Sequence, residues 1–260
     1  MRDSQRFKSI ATHSDISLSF IGPDLQEGPL PALFYFALSA HESLGVDPYN
    51  QPVVYLSQLP LRIFSIDLPF HGEGLSAKEA LKHWAENFHR GKDLLSACVE
   101  RSASILEELI AKHIIAPQRC AVAGLSRGAL IATHVAARCK EVRWILGFAP
   151  LTKLSYSKDF REIKNDPSID ALSIEHLTPL LTHRIVRFYI GNCDQLVSTR
   201  YCFDFIEKLA KEMRAAHIHS PSAELFIKPS IGFQGHGTSK QTFHEGAQWL
   251  AEQLGIIDVH

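Results

Sequence analysis

The stretch Gly124-Leu125-Ser126-Arg127-Gly128 places one hydroxyl midway between two glycines. It follows the apolar run Cys120-Ala121-Val122-Ala123 and precedes Ala129-Leu130-Ile131-Ala132, so it lies where a buried strand turns at once into a helix. Glycines at those two positions avoid clashes in so tight a turn, and the turn lifts the hydroxyl off the sheet. It also leaves the backbone N–H of Arg127 aimed at the place an oxyanion would occupy, at the positive end of a helix. Ser126 is therefore a candidate nucleophile; a helix-capping serine in a glycine-lined turn is the plainer alternative. Two other loops supply partners. Asp194, in Gly191-Asn192-Cys193-Asp194-Gln195, could steady a histidine through a hydrogen bond or could simply cap the next helix. His236 lies between glycines in Phe233-Gln234-Gly235-His236-Gly237, a loop that lets an imidazole reach a nucleophile, although a purely structural role is open. His244 is a rival base, but its surroundings read as helix with the ring facing solvent. Asp67, Glu73 and Asp204 are rival acids, less well placed in the chain.

The elements that must position these groups alternate. An antiparallel pair is expected over residues 6–21. The continuous apolar run at 32–38 reads as a strand buried on both faces, the pattern of a parallel sheet covered by helices, and further strands are expected at 61–68, 119–125, 142–149, 183–191 and 223–229. Helices are expected near 52–58 and over 76–90, 92–113, 200–215 and 241–254, with another after Ser126. Ser76 with Glu79 resembles a capping box. The segment Ser39 to Pro52 reads as a long polar loop. Residues 151–183, mixed and polar with Pro167 and Pro179, read as a small cap whose leucines and aromatics anchor it or line a pocket. Strand–helix alternation implies right-handed crossovers in an open sheet, with chemistry collected beyond the carboxyl ends of the strands. No linker interrupts the chain, which reads as one domain over 1–260.

Composition narrows the function classes. The chain has 260 residues and a formal net charge of −1, so no basic excess points to nucleic acid or to an anionic membrane. The longest apolar run is too short to span a bilayer. The 14 histidines are scattered without a zinc-binding spacing, and no metal or cofactor is expected. Five cysteines, odd in number and without a CxxC pair, suit reduced thiols, and the polar N-terminal stretch lacks the core of a signal peptide. A cytoplasmic protein follows from these signs. Nothing marks an oligomeric interface.

The segments Ile66-Asp67-Leu68-Pro69-Phe70-His71-Gly72, Ala123 to Ala132, Gly191 to Ser198 and Gly235 to Leu250 resemble an α/β-hydrolase, most closely the esterase and prolyl-oligopeptidase-like branch that includes dienelactone hydrolases. The chain order serine, acid, histidine agrees. The resemblance implies an α/β-hydrolase fold with a mostly parallel sheet of about eight strands and a metal-free site in which Ser126 is nucleophile, Asp194 acid and His236 base. It implies cleavage of a small-molecule carboxylic ester through an acyl-enzyme. A small peptidase or a thioesterase would use the same groups, and a non-catalytic binding module is the alternative of another class. The chain departs from the family after the first central strand, where Ala37-Leu38 replaces the usual His-Gly. The backbone N–H of Ser39, or of Leu38, is then expected to join that of Arg127 in the oxyanion hole; losing one such donor costs about 10²–10³ in rate. Leu38, His71 and Leu125 are expected to contact substrate. The Arg127 side chain either binds a carboxylate or packs.

Overall fold

The computed structural model describes residues 7–11, 17–72 and 74–258. Strands β1 (Lys8–Ala11) and β2 (Ser17–Ile21) form the expected antiparallel pair, and their connecting turn lies outside the described residues. They precede β3 (Leu30–Phe36), the short helices α1 (Ala40–Gly45) and α2 (Gln51–Leu56), and β4 (Arg62–Ser65). Helices α3 (Ala80–His89) and α4 (Leu94–Ala111) lead to β5 (Ile115–Leu125), α5 (Arg127–Arg138) and β6 (Val142–Phe148). After a segment of 3-10 turns with the short α6 (Pro167–Asp170) come β7 (Ile185–Gly191), α7 (Thr199–Ala215), β8 (Ala223–Lys228) and α8 (Lys240–Gln253). The eight strands make one sheet in the order β1-β2-β4-β3-β5-β6-β7-β8. The pairs β1–β2 and β2–β4 are antiparallel and all others parallel.

The apolar runs divide their side chains between two cores, because successive residues of a strand point to opposite faces. On β3, Ala32, Phe34 and Phe36 join one core and Leu33 and Tyr35 the other; on β5, Cys120 and Val122 part from Ala121 and Ala123 in the same way. Trp84 and Phe88 of α3, Leu106 of α4, Leu130 of α5 and Phe205 of α7 close the first face. Leu44 of α1, Val53 of α2 and Phe243 and Leu250 of α8 close the second. Each of the Val, Leu and Phe side chains among these, when fully buried, contributes about 1.5–3 kcal/mol.

Several expectations change. The segment read as a polar loop forms α1, closed by a capping box in which Ser39 Oγ accepts the Glu42 N–H at 3.1 Å and Glu42 Oε2 accepts the Ser39 N–H at 3.2 Å. The box expected from Ser76 and Glu79 does not form. Glu79 itself caps α3 with no side-chain bond, and its N–H donates to Ser76 O in a preceding turn. In residues 151–183, by contrast, Leu154, Phe160, Ile169 and Ile174 are buried in the same core as α5 and α7, in keeping with the anchoring reading.

Candidate active site

Ser126 follows the last residue of β5 and precedes the first of α5, with φ 55° and ψ −119°. A non-glycine residue in that region stores about 1–3 kcal/mol of strain. Its peptide is pinned to the neighbouring strand: the Ser126 N–H donates to Phe148 O at 2.8 Å, and Ser126 O accepts from Leu151 N at 3.1 Å. The flanking glycines make the turn possible. A β-carbon at 124 would stand 2.3 Å from Ala129 N, and one at 128 would stand 2.0 Å from Phe36 O. Helix α5 therefore crosses the end of β3 in direct backbone contact. Although Ser126 holds the N-cap position, its hydroxyl makes no capping bond.

The hydroxyl meets His236 instead. Ser126 Oγ is 2.9 Å from His236 Nε2, and His236 Nδ1 is 2.7 Å from Asp194 Oδ2. With Nδ1–H donated to the carboxylate, Nε2 is the acceptor for the serine proton. Asp194, fully buried in its side chain, is oriented through its other oxygen, which accepts the N–H groups of Leu196 at 3.0 Å and Val197 at 3.1 Å. Ser198 Oγ, not Asp194, caps α7. Below Asp194, Thr199 Oγ1 accepts its N–H at 3.1 Å and donates to Gly191 O. The histidine loop rests on the acid loop. Gly235, at φ +75°, has no room for a β-carbon, which would stand 2.2 Å from Cys193 O. A serine in this chain of bonds can surrender its proton as it attacks a carbonyl, because the carboxylate stabilises the imidazolium that forms.

The expected oxyanion donors are placed unequally. Arg127 opens α5, whose first N–H groups have no intrahelical acceptor. The Ser39 N–H, however, is committed to Glu42 in the capping box, which corrects the expectation that it faces the nucleophile. The N–H groups of Ala37 and Leu38 donate to the buried Ser43 Oγ at 3.1 and 3.2 Å. Ser43 carried no sequence signal; Ser39-x-x-Glu42 did, as a capping-box spacing.

A cleft of about 310 Å³ opens over Ser126 and His236 and is lined by Leu38 and Leu125, and by Tyr49 and Phe243, which the sequence did not mark. His71 does not line it. That side chain is buried, its Nδ1–H donating to Pro69 O at 2.8 Å and its Nε2 accepting from Arg127 Nη1 at 3.2 Å. Burial, helped by the adjacent guanidinium, lowers its pKa to about 4. Glu73 lies outside the described residues. Asp67 accepts the Ala40 N–H at 2.7 Å, Asp204 pairs with Arg200, and His244 is exposed against Tyr55. Asp170, Glu175 and His176 converge at the surface, but the Lys153 ammonium already lies 3.6 and 3.5 Å from the two carboxylates. The five cysteines are free thiols. Among the described residues, no helix is long and apolar enough to cross a membrane.

No protein-family model matches the chain, and no curated protein matches it by sequence. Solved structures do. TT1662 from Thermus thermophilus aligns with TM-score 0.69 at 17% identity, over 98% of this chain and 100% of that one. A cold-adapted esterase from an Arctic intertidal metagenomic library aligns with TM-score 0.63 at 19% identity, over 95% and 92%. A puromycin-hydrolyzing peptidase of Mycobacterium tuberculosis aligns with TM-score 0.69 at 15% identity, over 97% of this chain but only 41% of the peptidase. The mostly parallel eight-stranded sheet, with helices on both faces, is the α/β-hydrolase fold.

Proposed function

We propose that the protein is a serine hydrolase that cleaves a carboxylic ester through an acyl-enzyme. The hydrogen-bonded run Ser126–His236–Asp194, closed at 2.9 and 2.7 Å, carries this reading. His236 Nε2 takes the proton of Ser126 as Oγ attacks the carbonyl, and Asp194 steadies the imidazolium. The alcohol leaves with that proton, and water repeats the sequence on the acyl-enzyme. The Arg127 N–H at the head of α5 meets the oxyanion. The second donor is the Leu38 N–H, since a neutral hydroxyl at Ser43 gives it up more readily than the Glu42 carboxylate gives up that of Ser39. Similarity to an esterase over nearly its whole length favours an ester. Similarity to peptidases, of which this chain matches about two-fifths, supports peptide cleavage as the second reading. An alkyl phosphonate should label the wild type and not Ser126→Ala. Equal labelling of both, or no Ser126-dependent hydrolysis across ester, thioester and peptide panels, removes the proposal.

A further inference from the structure

Arg127 and Lys78 both line the cleft over Ser126, and among the described residues no aspartate or glutamate does. Among the described residues, neither cation forms an ion pair with a carboxylate. The Arg127 guanidinium is instead held through Nη1 by two neutral acceptors, Ala77 O at 2.8 Å and His71 Nε2 at 3.2 Å. His71 can only accept there, because its own proton is given to Pro69 O. The positive charge is thus fixed in direction without being cancelled. Among the described residues, the carboxylates whose fields reach it are Asp159 and Glu42. Asp159 is engaged by Ser157, and Glu42 is closed into the Ser39 box. Burial lowers the Arg127 pKa, the mark of a cation drawn partly out of water. A partly desolvated charge facing neutral groups is costly to the free protein and strongly attractive to an arriving anion.

We propose that Arg127, with Lys78 at the exposed rim, selects substrates that carry a carboxylate a few bonds from the scissile carbonyl, such as monoesters of short dicarboxylic acids. This rests on hydrolysis at Ser126. Arg127 is then a specificity-determining residue in two parts: its backbone N–H faces the reacting oxygen, and its side chain holds the remote anion. A guanidinium suits that task because it offers a planar pair of donors, and Nη2 and Nε remain beyond the two bonds made by Nη1.

The test compares kcat/KM for p-nitrophenyl hydrogen succinate and hydrogen glutarate with that for the neutral butyrate and valerate esters. The wild type should favour at least one anionic ester by about tenfold or more. Raising sodium chloride from about 0.05 to about 0.5 M should shrink that ratio. Arg127→Gln should lower the ratio by about tenfold, chiefly through KM, and Lys78→Met by less. If Arg127→Gln does not fold, the wild-type ratio and its salt dependence decide. A wild-type ratio near one, or a ratio unmoved by folded Arg127→Gln, overturns the assignment. Ser126-dependent hydrolysis of neutral esters with no carboxylate preference overturns this inference alone. No Ser126-dependent hydrolysis of either series overturns the hydrolase reading as well.

Discussion

Strands β3 and β5 lie side by side in the middle of the sheet, and each turns into a helix at its carboxyl end. At the end of β3, Ser39 caps α1, Glu42 returns the bond, and Ser43 Oγ accepts two more backbone N–H groups. At the end of β5, Ser126 stands in the same N-cap position but caps nothing, its hydroxyl drawn away to His236. One turn satisfies its polar groups locally. The other leaves a hydroxyl and a helix N-terminus open to a visitor, in a backbone conformation that costs energy to hold. Backbone conformation and local polar satisfaction together separate the two turns, even where the residue type, the element order and the position in the sheet agree.

That contrast can be broken from either side. The largest expected effect is on catalysis. Asp194→Asn leaves both turns in place but removes the anion that steadies His236, and should lower kcat on p-nitrophenyl acetate by about 10⁴-fold with the thermal midpoint little changed. A loss below about tenfold would remove Asp194 from the proposed role. Gly128→Ala attacks the close contact between the two turns. Its β-carbon would stand 2.0 Å from Phe36 O, a clash with backbone that no side-chain rotation relieves. A loss of at least about 3 kcal/mol, or insoluble protein, is expected; denaturant unfolding reads it.

A smaller effect should appear with pH. His71 is neutral and buried, its pKa lowered to about 4 from the ordinary 6.5. Between those values the unfolded chain binds the proton and the folded chain does not. The stability this residue supplies is therefore complete above about pH 6.5 and is lost as pH falls toward 4, by about 3 kcal/mol in all. Urea unfolding at pH 7 and pH 4.5 should show this loss, with a shallower fall in His71→Gln. Identical falls in the two proteins would contradict it. Last, Ser39→Ala should cost about 1 kcal/mol by opening the capping box, and Ser126→Ala less, because Ser126 has no cap to lose. The two melting temperatures side by side sharpen the comparison most cheaply.

The strands and most helices were legible because burial imposes a period on the sequence, and Ser126 was legible because a strand, a glycine-flanked serine and a helix follow one another without a gap. Helix α1 was not: six residues are too few to display a helical period. The two Ser-x-x-Glu pairs teach the same point. Identical in spacing, Ser39–Glu42 closes and Ser76–Glu79 does not, because α3 begins only at Ala80. β5 begins at Ile115, earlier than expected, since Pro117 reads as an interruption although the strand runs through it. The seat of Arg127 depends on His71 and Ala77, 56 and 50 positions away, and no local pattern announces such a meeting.

The seam between the last two loops has its own consequence. The Gln195 N–H reaches Gln234 O at 3.0 Å, the Cys193 N–H reaches Ser230 Oγ at 2.7 Å, and the Cys193 carbonyl fills the space beside Gly235. Imidazole and carboxylate are thereby carried on one stitched piece of main chain and shift together. A methyl group at position 235 would act as a wedge, prising proton carrier from counter-charge while leaving every reactive atom intact. A lever on this constellation thus belongs to a residue with no reactive group at all.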